Sequence, residues 1–223
     1  ATRVQLAQKT ARLTILEAVR KDDVLEFDVR IENLTGHKFP TGYPARRAWL
    51  KVEVMVGDQV VFASGAFDDE GRILGLEDPL RAPHVTMIEK SSDVVIYEMV
   101  ANGQDQQPTT YLTKMIERRK DTRLLPRGFD MSGPHIEETA PVGVHDDADF
   151  VAGGDRVGCR IRLPSGVRGE CAVVVTLHYQ SVPPVWVDAL REVQADEAVR
   201  FVGYYDRASK VPEVVSVARR IVH

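Results

Sequence analysis

The chain has 223 residues, of which 43% are hydrophobic and 28% are charged, and its formal net charge is −4. A chain of this length can bury a core that needs no disulfide or metal staples. No apolar run approaches the roughly 18 residues of a membrane-spanning helix, so we expect no membrane span. The acidic balance argues against a nucleic-acid partner, because no basic stripe is present to neutralise phosphates.

A period of two dominates the first hundred residues. Weak alternation over residues 11–19 is followed by residues 23–34, where apolar and charged side chains alternate without interruption. Residues 49–56 repeat this pattern, and residues 58–64 and 94–101 show weaker versions of it. Alternation of this kind predicts half-buried antiparallel strands whose apolar side chains are directed inward.

The second half of the chain begins with an irregular insert, residues 102–150, which contains several Pro and Gly residues. An insert of this length is expected either to serve a function or to hide short strands. Alternation returns over residues 156–163 and 171–179, and more weakly over 213–221. Between the last two of these strands, apolar residues recur at helical spacing, which predicts one or two short C-terminal helices.

Many short strands without regular strand–helix alternation predict a mainly β fold. We expect an antiparallel β-sandwich, immunoglobulin-like or jelly-roll-like, which also holds the long irregular insert and the short C-terminal helices. No repeat, low-complexity tract or linker interrupts the sequence, so residues 1–223 are predicted to form a single domain. Because the first residue is Ala1 rather than Met, we expect the chain to be a fragment or a processed part of a larger protein.

The two cysteines, Cys159 and Cys171, fall in the apolar phase of two consecutive predicted strands. They flank a turn at residues 164–169, so they could form a cross-strand disulfide if their Cα atoms come within about 6 Å. Two buried free thiols are an equally good interpretation, because cysteine is a common core residue. Two cysteines are too few for a disulfide scaffold, and no Cys-x-x-Cys-His sequence is present to attach haem covalently.

An acidic group in the insert is a candidate calcium site. Asp146, Asp147 and Asp149 lie there, near His135 and His145 in the sequence. Calcium prefers carboxylate oxygens, but the spacing does not match an EF-hand loop, and the alternative is a solvated acidic loop. No serine or cysteine nucleophile stands in an activating context, so the sequence favours a non-enzymatic role.

The same insert also contains a local group of basic residues. Its members are Arg118, Arg119, Lys120, Arg123 and Arg127. The simplest interpretation is a solvated face of the protein, because a local charge run in a chain of opposite net charge is usually exposed. The alternative is a docking patch for an acidic partner.

Residues 33–50, Asn-Leu-Thr-Gly-His-Lys-Phe-Pro-Thr-Gly-Tyr-Pro-Ala-Arg-Arg-Ala-Trp-Leu, are the most informative segment. They join two predicted strands by a loop that is longer than a hairpin turn. Gly36 and Gly42 permit backbone angles that other residues rarely adopt, and the prolines stiffen the loop. Such a loop is well suited to project the imidazole of His37, and neutral imidazole is a common ligand of transition metals, including haem iron. The alternative is a loop histidine that is simply hydrogen-bonded to a backbone carbonyl.

This segment resembles one near the C terminus of large bacterial multihaem c-type cytochromes, the cytochrome c-554-like and hydroxylamine-oxidoreductase-like group. The shared pattern is Gly-His-x-x-Pro-Thr-Gly, followed by an Arg and a Trp-Leu strand. The matching positions here are Gly36, His37, Pro40, Thr41, Gly42, Arg46 or Arg47, Trp49 and Leu50. Residues 124–129 and 147–157 are similar to other recurring segments of those domains, so the resemblance extends over nearly the whole chain.

The resemblance implies a haem-free β-sandwich domain of a periplasmic or cell-surface electron-transfer protein in bacteria. It also implies a multihaem cytochrome domain or subunit as the partner. Haem c would lie on that adjoining domain or partner, since this chain has no covalent attachment sequence. In the group the histidine of the pattern can approach a haem, so His37 is a candidate axial ligand to a neighbouring haem.

Two other functions remain open from the sequence. A module that binds a ligand such as a carbohydrate would use exposed aromatic residues, for which the candidates are Tyr43, Trp49 and Trp186. A metal-dependent enzyme would bring at least two loop histidines around one ion, drawn from His37, His135 and His145.

Overall fold

The computed structural model describes residues 2–223. Its helices and strands, in chain order, are α1 (Thr2–Lys9), β1 (Ala11–Lys21), β2 (Val24–Asn33), β3 (Arg47–Val56), β4 (Gln59–Ser64), β5 (Met87–Ile88), β6 (Ile96–Tyr97), β7 (Met99–Asn102), β8 (Pro108–Thr109), β9 (Glu117–Asp121), α2 (Ile136–Thr139), β10 (Gly154–Arg162), β11 (Cys171–Gln180), α3 (Pro184–Arg191), α4 (Asp196–Arg207) and β12 (Glu213–Val222). A short 3-10 turn spans Leu112–Lys114. Strands account for 39% of the residues and helices for 16%, so the predicted mainly β class is confirmed.

Two sheets face each other across one core. The first has the strand order β1-β2-β10-β5, and the second has the order β12-β11-β3-β4 with β6 also paired to β3. Neighbouring strands in these sheets are antiparallel, except that β5 runs parallel to β10. A third, small sheet, β8-β7-β9, arises largely from the insert. The predicted antiparallel β-sandwich is confirmed, and the insert does contain short strands.

The apolar phase of each long strand lines the space between the two sheets. The inward residues of the central strands are fully or almost fully buried; they include Leu25, Phe27, Val29 and Ile31 on β2, and Val173, Val175 and Leu177 on β11. Burial of one such side chain stabilises the fold by about 1.5–3 kcal/mol. The contact between the two sheets is therefore the main source of stability.

The helices match the sequence only in part. Helices α3 and α4 confirm the two short helices predicted near the C terminus. Helix α1 was not predicted, and none of its residues is buried, so it has no apolar stripe that periodicity could detect. No helix among residues 2–223 is long and apolar enough to cross a membrane.

Of the two interpretations that the sequence left open for the cysteines, the structure has the buried free thiols. Cys159 lies on β10 in the first sheet, whereas Cys171 lies on β11 in the second, so the turn between them crosses the sandwich and does not close a hairpin. Both are buried free thiols. Burial raises the pKa of the Cys159 thiol, which disfavours the reactive thiolate form.

A second apolar cluster covers the outer face of β3. It consists of buried residues from β3, β6 and the long connection after β4, namely Trp49, Ile73, Ala82, Val94 and Ile96. The indole N–H of Trp49 donates to the carbonyl oxygen of Gly65 over 3.0 Å. This contact satisfies the polar atom of the largest buried side chain and fixes the start of the connection against the sheet.

His178 lies on the outer face of β11, next to this cluster. Its ring centroid is 5.4 Å from that of Trp49 and 5.1 Å from that of Phe67. Its Nδ1 is buried and has no hydrogen-bond partner in the described chain. Burial, assisted by the positive charge of Lys51, lowers the pKa of His178 to about 4. The side chain is therefore neutral in the folded protein at pH values where an ordinary histidine is charged.

We expect His178→Phe to reduce the acid sensitivity of the fold. As the pH falls through 6.5, His178 takes up a proton in the unfolded chain but not in the folded chain until about pH 4. The free energy of unfolding therefore decreases across this window in the wild type. Phenylalanine preserves the ring contacts with Trp49 and Phe67 but does not titrate, so the decrease should be smaller in the variant.

Urea unfolding near pH 7 and near pH 4.5 measures this difference. The control is His145→Gln, which changes a histidine whose side chain is 82% exposed and should leave the wild-type pH dependence intact. An equal loss of stability in the wild type and in His178→Phe would contradict the assignment.

Candidate functional site

The loop between β2 and β3 presents His37, and a buried amide sets its conformation. Asn33, the last residue of β2, is fully buried. Its Nδ2 donates to the carbonyl oxygens of His37 and Leu124 over 2.8 and 3.0 Å. Its Oδ1 accepts hydrogen bonds from the backbone N–H and the hydroxyl of Thr35 over 2.9 and 2.8 Å. Both polar atoms of this amide are therefore engaged, which holds the loop in one conformation.

Residues 33–50, 124–129 and 147–157, which are three separate segments in the sequence, meet around Asn33. Phe39 and Leu124 exchange backbone hydrogen bonds of 2.9 and 2.8 Å, which join the first segment to the second. Gly153 donates its N–H to the carbonyl oxygen of Leu125 over 3.2 Å and accepts the N–H of Asn33 over 2.9 Å. These bonds join the third segment to the other two, so the three segments form one structural unit.

Two adjacent glycines permit this close approach. Gly153 has a φ of 95°, in the region where a side chain is strained. A Cβ atom at Gly154 would lie 2.1 Å from the carbonyl oxygen of Ile31, so a larger residue would push β10 away from β2. The Gly-Gly pair is therefore a packing requirement at the start of β10.

A buried ion cluster anchors the residue after His37. The carboxylate of Asp121 is fully buried and accepts hydrogen bonds of 2.7 Å from Lys38 Nζ and from two nitrogens of Arg123. Burial by itself would raise the pKa of Asp121, but the hydrogen bonds and charges of Arg123 and Lys38 outweigh it and hold the pKa below its ordinary value of 3.8. Lys38 is thereby tied to the end of β9, and the loop is fixed at a second point.

His37 itself is exposed on the surface of this loop. Its Nδ1 lies 2.9 Å from the carbonyl oxygen of Lys38 and 3.3 Å from the hydroxyl of Thr35. When Nδ1 carries the proton and donates it to this carbonyl, Nε2 keeps a free lone pair on the opposite side of the ring. Metal-bound histidines commonly use this arrangement. The carbonyl-bonded alternative from the sequence is thus observed, and it leaves the other ring nitrogen available.

Three of the five residues in the basic stretch make contacts within the protein. Lys120 is buried and contacts Glu98 over 3.0 Å. Arg118 donates to two backbone carbonyl oxygens over 2.6 and 2.7 Å, while Arg123 binds Asp121. These three side chains are held by contacts within the protein, of which the contact of Arg123 with Asp121 is local in sequence and those of Lys120 and Arg118 are not. Arg119 and Arg127 are exposed.

A second, buried group of ionisable side chains was not predicted. One ring nitrogen of His84 and one carboxylate oxygen each of Asp147 and Asp155 lie within 4.8 Å of one another. Within residues 2–223, no other group of three or more His, Cys, Asp or Glu side chains brings its ligand atoms this close together. His84 Nε2 is 2.7 Å from Oδ2 of Asp147, and both side chains are only 4% exposed.

Asp155 is the most deeply placed member of this group. It lies on β10, two residues before Val157, in the phase of the strand that faces the core. Its Oδ2 accepts the hydroxyl proton of Tyr97 over 2.8 Å, and its Oδ1 accepts the backbone N–H of Arg156 over 2.7 Å. Burial raises the pKa of Asp155 to about 6, with a further contribution from the nearby charge of Asp147 and against the opposing effect of the Tyr97 hydrogen bond.

The structure separates the three predicted calcium ligands. Among them, Asp147 is directed into the protein, whereas Asp146 is 87% exposed and pairs with His145 over 2.8 Å. Asp149 is exposed, and its backbone N–H donates to Oδ1 of Asp147 over 3.0 Å. Asp146 and Asp149 therefore do not belong to the converging group. Nor do the three histidines of the predicted metal-dependent enzyme, His37, His135 and His145.

The aromatic residues named for carbohydrate binding do not form an exposed platform. Trp49 is fully buried and Trp186 is only 8% exposed. The ring of Trp186 packs against Tyr43 with 5.4 Å between centroids, and Tyr43 is the partly exposed member of this pair. The structure therefore gives the carbohydrate-binding alternative no support from these residues, because both indoles are buried by packing.

The chain matches no protein-family model and no curated protein. Its structure is similar to the crystal structure of a penta-haem cytochrome c552 from Thermochromatium tepidum, with a TM-score of 0.55 and 15% sequence identity. The match covers 98% of this chain and 41% of that chain. This chain thus spans less than half the length of that protein. At this level of identity, the similarity shows a common fold.

Asn33→Asp tests the role of the buried amide. The substitution keeps the shape of the side chain but replaces its two N–H donors by an oxygen that faces the carbonyls of His37 and Leu124. We expect the free energy of unfolding to fall by about 2–4 kcal/mol, since buried acceptors lose their donors. Hydrogen exchange at the backbone amides of residues 37–39 should also become faster.

The matched control is Gln194→Glu, which makes the same chemical change at an exposed position. It should alter stability by less than about 0.5 kcal/mol. If urea unfolding gave similar stabilities for the two variants, Asn33 would not be the residue that fixes the loop.

Proposed function

We propose that this chain is a haem-free accessory domain of a bacterial multihaem c-type cytochrome, and that it supports electron transfer by docking against the haem-bearing part. The observation that supports this most directly is the fold, since almost the whole chain matches part of a penta-haem cytochrome. The chain has no Cys-x-x-Cys-His sequence, so haem c would be held by an adjoining domain or a partner subunit. The proposal places the protein in the periplasm or at the cell surface.

The arrangement of the resembling segments supports the same proposal. Three stretches far apart in the sequence share a pattern with the multihaem group, and Asn33, Leu124 and Gly153 join them through direct hydrogen bonds. The joining residues Asn33 and Leu124 are buried, and the loop that they hold exposes His37 at the surface. A surface loop in a fixed conformation is what docking against a partner requires.

Within this proposal, His37 is the axial ligand that the domain offers to a neighbouring haem. The haem would supply one-electron redox chemistry, and the role of the chain is to orient the imidazole. The Lys38 carbonyl oxygen holds Nδ1, and Nε2 forms no hydrogen bond with any other group in residues 2–223. The Asn33 amide and the Lys38–Asp121 ion pair keep the loop in place, so little conformational freedom is lost when a ligand binds.

The His37 assignment can be tested with a haem c peptide that has one histidine axial ligand and a vacant sixth position. Addition of the purified chain should convert the ferric haem from high spin to low spin, which optical absorption detects. We expect His37→Ala to weaken this binding at least about tenfold, because the ring that projects from the ordered loop is removed.

Two exposed histidines outside the loop provide matched controls. His135→Ala and His145→Ala remove the same group from the surface and should change the binding less than twofold. Equal losses in all three variants would show that any exposed histidine binds the peptide, and would remove His37 from the proposal. The accessory role has a separate test, namely whether the coding sequence next to this chain, or that of a subunit that copurifies with it, contains Cys-x-x-Cys-His sequences.

A further inference from the structure

We propose that His84, Asp147 and Asp155 form a binding site for one divalent transition-metal ion of the zinc or manganese type. Their ligand atoms already lie within 4.8 Å of one another. Tetrahedral bonds of about 2.0–2.2 Å to zinc place the ligand atoms roughly 3.3–3.6 Å apart, so the widest separation would have to close by about 1.5 Å, which side-chain rotation can supply. The site is separate from the His37 loop, so it does not depend on the proposed docking function.

The charge of the cluster is the first reason to place a cation there. Asp155 is 4% exposed, and so is the side chain of Asp147. Within residues 2–223, no Lys or Arg nitrogen lies within 4.0 Å of either carboxylate, and the sole cationic candidate next to them is His84. Buried carboxylates without a cationic partner are costly, and in proteins they are normally paired or bound to a metal. A divalent ion would supply the missing positive charge.

The imidazole of His84 provides the nitrogen ligand. Its Nε2 faces Asp147 over 2.7 Å, and both side chains are only 4% exposed. An ion that binds Nε2 would take the place of this hydrogen bond, and the ring proton would then lie on Nδ1. Nδ1 is buried and has no hydrogen-bond partner in the described chain, so the contact of Nε2 with Asp147 is the polar contact that orients the ring.

The surrounding hydrogen bonds are those expected of metal ligands. Tyr97 donates to one oxygen of Asp155, and the backbone N–H of Asp149 donates to one oxygen of Asp147. Such partners orient coordinating carboxylates and are a regular part of metal sites. The His84 ring packs edge-to-face with Phe150, with 5.6 Å between the ring centroids and 83° between the ring planes. The ligands are therefore positioned before any ion arrives.

The mixed donor set selects the class of metal. Imidazole nitrogen favours zinc and related transition ions, and carboxylate oxygen is accepted by the same ions and by manganese. Calcium instead takes six to eight oxygen ligands and does not favour an imidazole nitrogen. The site therefore differs from the calcium site suggested by the acidic sequence, both in its ligands and in its ion. By joining the connection before β5, the end of the insert and β10, the ion would stabilise the fold.

Titration of the chelator-treated chain with Co²⁺ tests this proposal. Cobalt bound by nitrogen and oxygen ligands has visible absorption bands whose intensity depends on coordination, and Zn²⁺ should displace it with a stoichiometry of one. Both ions should raise the melting temperature of the chain, since they bind the folded state only. Excess Ca²⁺ should not displace Co²⁺.

Substitutions identify the ligands. We expect His84→Gln and Asp155→Asn each to weaken Co²⁺ binding at least about tenfold, because each removes one of three ligands. The matched controls, His145→Gln and Asp146→Asn, change the same residue types at exposed positions and should keep the wild-type affinity. Far-UV circular dichroism of the metal-free variants checks that they are folded.

A second measurement uses the wild type, so it tests whether His84 is a ligand even if a variant fails to fold. Paramagnetic Co²⁺ should broaden the ring resonances of His84 before those of the other five histidines. The proposal is overturned if the wild type binds no Co²⁺ at millimolar concentration, if His145 or His37 broadens first, or if folded His84→Gln keeps the wild-type affinity. None of these results would bear on the binding of a haem c peptide to His37.

Discussion

The side chain of Asn33 is the constraint on which the functional region depends. A carboxamide buried at the end of β2 must find partners for two donors and one acceptor, and it finds them in Thr35, His37 and Leu124. Its backbone N–H meets Gly153 at the start of β10. Because an unsatisfied polar group in this position would be costly, the loop, the insert and the first sheet are held in a single relative arrangement.

The same arrangement links the two sites along the chain. Gly153 is hydrogen-bonded to Asn33, and Asp155 follows two residues later on β10. There the Asp155 carboxylate accepts a hydrogen bond from Tyr97 and lies near His84 and Asp147. The exposed loop with His37 and the buried group of His84, Asp147 and Asp155 are thus connected through Asn33 and residues 153–155. One site presents an imidazole to the outside, whereas the other places an imidazole among carboxylates where water is largely excluded.

Alternation was sufficient to locate the long strands, because inward and outward positions differ in polarity at every step. The strands β2, β3, β10 and β11 lie within two residues of their predicted limits. Charge patterns were less informative. Lys120, Arg118 and Arg123 look like a solvated run, yet they pair with Glu98, with distant carbonyls and with Asp121. Asp121 lies within this run, but the positions of Glu98 and of the carbonyls that Arg118 binds depend on the fold, so local sequence could not distinguish these two outcomes.

The sequence by itself determined the mainly β class, the strand positions and the loop that presents His37, because these follow from local periodicity and backbone stiffness. One signal of the buried cluster was also present, namely an acidic residue, Asp155, in the inward phase of a strand. Only the tertiary structure decided that Cys159 and Cys171 belong to different sheets, and that His84 and Asp147 converge on Asp155. These outcomes depend on which strands pair and on how the insert packs, and such long-range contacts are set by the whole core and not by any local pattern.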